Sequence, residues 1–127
     1  MTILFNRKIL IVEDELPLLK ILTEKLSGEG FSVVGAKDGK EGLELALKEI
    51  PDLILLDIVM PSMDGMEMLR RLRNSPTGKK IPVIILSNLG ETSTILEAKE
   101  LNIKGYLIKS NIKLEDVLKL VREKLKF

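Results

Sequence analysis

Asp57 closes the run Asp52-Leu53-Ile54-Leu55-Leu56-Asp57, so a carboxylate stands at the end of what reads as a strand buried on both faces. Glu13 and Asp14 close an earlier run, Lys8-Ile9-Leu10-Ile11-Val12, and Lys109 follows a third, Tyr106-Leu107-Ile108. Ser87 ends a fourth, Ile81–Leu86. If these runs are strands of one parallel sheet, their ends lie side by side, and three acids, a hydroxyl and an ammonium share one pocket. Carboxylates crowded in that way force protonation of at least one unless a cation sits among them. Magnesium suits the role, because it takes a few carboxylate oxygens together with a backbone carbonyl and waters. Asp57 then becomes a carboxylate nucleophile of the aspartyl-phosphate kind. Lys109 can bind a phosphoryl oxygen as a point charge, and Ser87 can offer its hydroxyl to the same oxygens. Each residue alone has a plainer reading as a turn cap, an exposed lysine or a helix-opening hydroxyl. Their ordered combination points to a magnesium-dependent phosphoryl site with Asp57 as the residue modified.

Composition narrows the alternatives. The 127 residues suit one domain with a real core, and 45% of them are hydrophobic. No apolar stretch approaches the roughly 20 residues that cross a bilayer. Residues 1–6 lack the basic leader and the length of a signal peptide. The absence of cysteine removes disulfides and thiolate chemistry and is compatible with the cytoplasm. The absence of histidine removes imidazole bases, imidazole metal sites and phosphohistidine on this chain. Residues 1–64 are net acidic and the remainder net basic. With no aromatic residues among the lysines to stack on bases, that asymmetry reads as solvated helix faces and not as a nucleic-acid surface.

The elements that would position the site alternate from end to end. After the strand Lys8–Val12, Pro17 suits a first helical turn, Leu18, Leu19, Leu22 and Leu26 share a face, and Gly28 and Gly30 end the helix. Phe31–Ala36 follows as a strand. Asp38 and Glu41 have capping-box spacing before a helix with Leu43, Ala46, Leu47 and Ile50 on one face, stopped by Pro51. Leu53–Asp57 is the third strand, and a loop through Met60-Pro61 leads to Asp64-Gly65 and a helix with Met68, Leu69 and Leu72. Asp64 is expected to N-cap that helix. A turn-rich break at Asn74–Gly78 precedes the strand Ile81–Leu86, and a shorter helix, Glu91–Leu101, precedes the strand Gly105–Ile108. The last helix, Leu114–Lys126, buries Leu114, Val117, Leu118, Val121 and Leu125. Five such units predict an α/β fold: a five-stranded parallel sheet, doubly wound by five helices in the flavodoxin-like strand order 2-1-3-4-5. Its functional edge lies where the order reverses, between the first and third strands.

With these pieces in place the chain resembles a receiver domain of the two-component response regulators, of the chemotaxis-receiver type. The matching segments are Ile11-Val12-Glu13-Asp14, Leu55-Leu56-Asp57-Ile58-Val59-Met60-Pro61, Met63-Asp64-Gly65, Ile85-Leu86-Ser87 and Gly105-Tyr106-Leu107-Ile108-Lys109, and they span essentially the whole chain. The resemblance implies that Asp57 accepts a phosphoryl group from a phosphohistidine on a sensor kinase or phosphotransfer protein. It implies that Glu13, Asp14, Asp57 and the backbone carbonyl of Val59 hold Mg2+, and that Ser87 and Lys109 contact the phosphoryl oxygens. Tyr106 resembles the family's switch aromatic, which moves inward as Ser87 moves to the phosphoryl group; its plainer reading is a half-buried strand aromatic with a wet hydroxyl. The output surface then lies on the face formed by residues 91–126, open to a downstream protein or a second copy of the chain. One receiver domain over residues 1–127, with its folded core at about 7–126 and no output domain, is the expected organisation. Beyond its own phosphorylation and dephosphorylation it is not expected to be an enzyme.

Four positions depart from the family pattern. Ser110 follows Lys109 where proline after a cis bond is usual, and a cis bond before serine costs roughly 2.5–4 kcal/mol, so a trans bond is expected. Asn88 replaces a very small residue beside Ser87. Val59 and Leu89, two beyond Asp57 and Ser87, are apolar and cannot orient a water, which predicts a long-lived phosphoryl-aspartate. Two rivals fall away on a few positions, and a third stays open. A haloacid-dehalogenase-type phosphatase needs an acid where Val59 stands. A flavin carrier needs a helix N-terminus free of acids, where Glu13-Asp14-Glu15 stand. A receiver-like interaction domain that is never phosphorylated is the third.

Overall fold

Unbroken apolar runs become the middle of a sheet. In the computed structural model, which describes residues 7–60, 63–88 and 92–125, the strands are β1 (Lys8–Val12), β2 (Ser32–Ala36), β3 (Leu53–Asp57), β4 (Val83–Ser87) and β5 (Gly105–Ile108). All pair in parallel, in the order β2-β1-β3-β4-β5, as the sequence predicts. Every residue of β3 and β4 is buried, whereas the edge strands β2 and β5 carry exposed positions.

Strand alternation divides the core in two. Ile9, Ile11, Leu53, Leu55, Ile84 and Leu86 face Leu22 and Leu26 of α1 (Leu16–Gly28) and Val117 and Val121 of α5 (Leu114–Lys124). Leu10, Val12, Ile54, Leu56, Val83 and Ile85 face α2 (Gly39–Glu49), α3 (Gly65–Arg73) and α4 (Thr92–Glu100). Fully burying each such aliphatic side chain contributes about 1.5–3 kcal/mol, so these two layers outweigh any single cap or ion pair.

Local signals start α2 and α3 as anticipated, with one shift. Asp38 Oδ1 accepts from Glu41 N at 2.8 Å, while Glu41 Oε1 accepts from Lys37 N at 2.9 Å, so the box closes one residue before the cap. Asp64 caps α3 by accepting from Glu67 N at 2.9 Å. Arg73, at the end of α3, donates to Leu101 O at 2.8 Å and to Gly78 O and Ile81 O at 2.9 Å. It thereby ties α3 to the following loop and to the end of α4. Burial lowers its pKa, and the carbonyls hold the guanidinium in place.

The face assigned to α2 needs correction. Of Leu43, Ala46, Leu47 and Ile50, Ala46 is buried and Leu43 half-buried, but Leu47 and Ile50 are 38% and 58% exposed. The seam instead runs through Gly39, Gly42 and Ala46. A Cβ on Gly42 would stand 2.8 Å from Val12 Cγ2 and 2.9 Å from Met68 Sδ, so the helix approaches β1 and α3 closer than a side chain allows. Ile50 then ends α2 in the left-handed region, with φ of 47°.

Smaller differences lie at boundaries. β2 begins at Ser32 and not Phe31, and β4 is shifted to Val83–Ser87, with Pro82 O still accepting from Ile54 N. An unanticipated 3-10 turn, Lys109–Asn111, follows β5. No peptide bond among the described residues is cis, in line with the trans link expected before Ser110. Pro61, Leu89, Glu91 and Lys126 lie outside the described residues, as do residues 1–6. Among the described residues, no helix is long and apolar enough to cross a membrane.

Candidate functional site

Register assembles the site. Val12 pairs with Leu56 and Leu56 with Ile85, so Glu13 and Asp57 come next in the same row. Glu13 N extends the ladder by donating to Ala36 O at 2.9 Å. Asp57 pairs with Leu86, and Ser87 with Ile108, one residue before Lys109. Asp57 continues the strand parity that faces α1 and α5, whereas Ser87 continues the opposite parity, towards α4. Glu13, Asp57 and Ser87 are all buried, at 0%, 2% and 1% exposure.

Gly65 fixes the height of Asp57. A Cβ there would stand 2.1 Å from Asp57 O and 2.7 Å from Ile58 Cα, and Gly65 N donates to Ile58 O at 2.7 Å. The first turn of α3 therefore lies directly against the backbone of the candidate nucleophile. Only glycine allows that approach. Asp64 was legible as a cap, but the contact that Gly65 makes was not.

Lys109 reaches back across the strand ends. Its Nζ lies 3.1 Å from Glu13 Oε2, 3.2 Å from Asp57 Oδ2 and 3.2 Å from Glu15 Oε1. Glu15 was not singled out in the sequence, where it was one of three consecutive acids opening a turn. It occupies the N-cap position of α1, yet its side chain makes no cap bond. Its backbone N donates to Glu13 Oε2 at 2.9 Å.

One oxygen each from Glu13, Asp14 and Asp57 fall within 4.8 Å of one another. Burial, then the neighbouring Glu13 charge, pushes the Asp57 carboxyl up to about 7 despite the nearby Lys109 ammonium. Burial likewise raises Glu13, against the lowering effect of Glu15 N and Lys109. For Lys109 burial alone would lower the pKa, but Glu13, Asp57 and Glu15 outweigh it and the net shift is upward. Among the described residues, Glu13 Oε1 and Ser87 Oγ are buried with no hydrogen-bond partner. An orphaned carboxylate oxygen beside two more carboxylates is the donor set that a hard divalent cation fits.

The remaining sequence candidates sit at the rim. The side chain of Val59 is 57% exposed and apolar, so it offers no second acid to a phosphatase mechanism. Tyr106 is 43% exposed on β5, and Lys99 Nζ of α4 lies 5.5 Å from its ring centroid. The structure therefore brings Glu13, Asp14, Asp57 and Lys109 together, buries Ser87 at the same edge and leaves Tyr106 outside.

Comparison with known proteins gives a consistent picture. The family model described as the response regulator receiver domain matches residues 9–122. Sporulation initiation phosphotransferase F of Bacillus subtilis is 39% identical over 106 residues, 84% of each chain. The "Probable transcriptional regulator ycf27" of Guillardia theta is 39% identical over 104 residues, 82% of this chain and 40% of that one. This chain thus spans less than half of that regulator's length. The solved structure of the Vibrio cholerae chemotaxis protein CheY4 superposes with a TM-score of 0.85 at 29% identity, covering 93% of this chain and 98% of that one.

Proposed function

This chain belongs to the response regulator receiver domain family, and on that premise we propose that it is a signalling switch whose phosphoacceptor is Asp57. The observation that carries the reading is the pairing of Asp57 Oδ2 with Lys109 Nζ at 3.2 Å inside a cluster of three acids. Such a group is built to gain an anionic substituent beside a fixed cation. The donor is a phosphohistidine on a sensor histidine kinase or phosphotransfer protein. An Asp57 carboxylate oxygen attacks phosphorus, the P–N bond breaks, and its electron pair stays on the imidazole of the donor, which takes up a proton.

Glu13, Asp14, Asp57 and the backbone carbonyl of Val59 are the groups that would hold Mg2+. When bound, the ion supplies charge neutralisation and keeps Asp57 ionised. Lys109 meets one phosphoryl oxygen and Ser87 Oγ donates to another, satisfying a hydroxyl that has no other partner among the described residues. Tyr106 lies on the same side of the sheet as Ser87, so movement of Ser87 is transmitted there, and Tyr106 turns inward. The surface of α4, β5 and α5 then changes affinity for a downstream protein or for a second copy of the chain. We place the chain in the cytoplasm as one receiver domain with its folded core at about residues 7–126, without direct nucleic-acid binding and without catalysis beyond its own phosphorylation and dephosphorylation.

Intact mass measured after incubation with acetyl phosphate and Mg2+ tests the reading. Wild type is expected to gain one phosphoryl group, Asp57→Asn none, and wild type with a chelator none. A receiver-like protein that is never phosphorylated would gain nothing under any condition.

A further inference from the structure

Lysine has three N–H donors, and on Lys109 three carboxylates take them up: Glu13, Asp57 and Glu15, at 3.1, 3.2 and 3.2 Å. The three differ in how readily they can let go. Glu13 is completely buried and is also held by Glu15 N. Asp57 is buried and would itself carry the phosphoryl group. The side chain of Glu15 is 60% exposed, so water can take over its carboxylate at small cost.

A phosphoryl group on Asp57 brings oxygens that need the same ammonium, whose donors are already engaged. We propose that Glu15 is a displaceable ligand of Lys109: a positioning residue that steadies the ammonium over Asp57 in the resting domain and yields its place to a phosphoryl oxygen. This rests on Asp57 being the phosphoacceptor. Glu15 then acts in two ways, both opposing transfer from a small anionic donor. It competes for the cation, and it places a negative charge at the mouth of the site. Its backbone contributions, N donating to Glu13 Oε2 and O accepting from Leu19 N, do not depend on the carboxylate.

Glu15→Gln keeps shape and backbone while removing the charge. At low ionic strength it is expected to be phosphorylated by acetyl phosphate in Mg2+ about three- to tenfold faster than wild type, and to bind beryllofluoride, a phosphoryl mimic that transfers no phosphorus, more tightly by a similar factor. Because the Glu15 carboxylate faces solvent, salt should close the gap, with the two proteins converging within about twofold near 0.5 M salt. A merely structural role for Glu15 would not produce that convergence. A variant equal to or slower than wild type at low salt, or a gap that salt leaves unchanged, would overturn the inference while wild-type labelling upholds Asp57 as acceptor. Absence of labelling and of beryllofluoride binding in wild type would overturn both.

Discussion

Asp57 is an anion that the fold makes uncomfortable. Its carboxyl is raised from an ordinary 3.8 to about 7, first by burial and then by Glu13. Between those values the folded protein keeps a proton that the unfolded chain has released, so stability falls as pH rises through the window. Glu49 and Glu67, whose pKa values are lowered by Lys8 and by Arg71 and Arg70, act in the opposite sense but below about pH 4.5. Lys109, raised, loses its contribution only above its ordinary 10.5. The metal-free protein is therefore expected to resist urea better at about pH 5 than at about pH 8. Asp57→Asn should flatten that slope and stabilise the protein at about pH 8 by on the order of 1–3 kcal/mol. A wild type more stable at the higher pH would contradict the account. At the same scale, the apolar, outward-facing Val59 cannot orient a water, and the phosphorylated protein is expected to persist for hours. Mass spectra followed after removal of the donor will show it; decay within seconds would refute it.

At the scale of elements, the α2 seam makes opposite predictions for two glycines. Gly42→Ala would press a methyl against Val12 and Met68, and overpacking of this kind costs roughly 1–3 kcal/mol. Gly28→Ala meets nothing within 4 Å and should stabilise by up to about 1 kcal/mol. Thermal melts of the two variants should move in opposite directions. Arg73→Met, which abandons the carbonyls of Gly78, Ile81 and Leu101, is expected to cost about 2–3 kcal/mol. These cases also show what the sequence could and could not reveal. β3 was legible because burial on both faces demands an unbroken apolar run, and its terminal acid then stood out. The seam of α2 was illegible because glycine carries no hydrophobic signal, so the periodicity fell on Leu47 and Ile50 instead. The link between Glu15 and Lys109 was hidden for a different reason: 94 residues separate them, and only the sheet order brings them together. The 3-10 turn after Lys109 had no local signature of its own.

For the whole molecule, the sheet between the two core layers ends in one crowded acidic centre, and a ligand there should stabilise both layers. A cation that binds only the folded state adds about 2.7 kcal/mol at a hundredfold excess over its dissociation constant. Magnesium is thus expected to raise the melting temperature at about pH 8, where repulsion among Glu13, Asp14 and Asp57 is greatest. The gain should shrink in Asp57→Asn, and calorimetry showing equal gains in both proteins would count against those residues as the ligand set.

The chain has a single tyrosine and no tryptophan, and that tyrosine is Tyr106, half in water with Lys99 over its ring. All ultraviolet emission above that of phenylalanine therefore comes from the edge of β5. An inward turn of the ring would change its brightness and its accessibility to quenchers such as iodide, so the unlabelled protein carries its own optical readout.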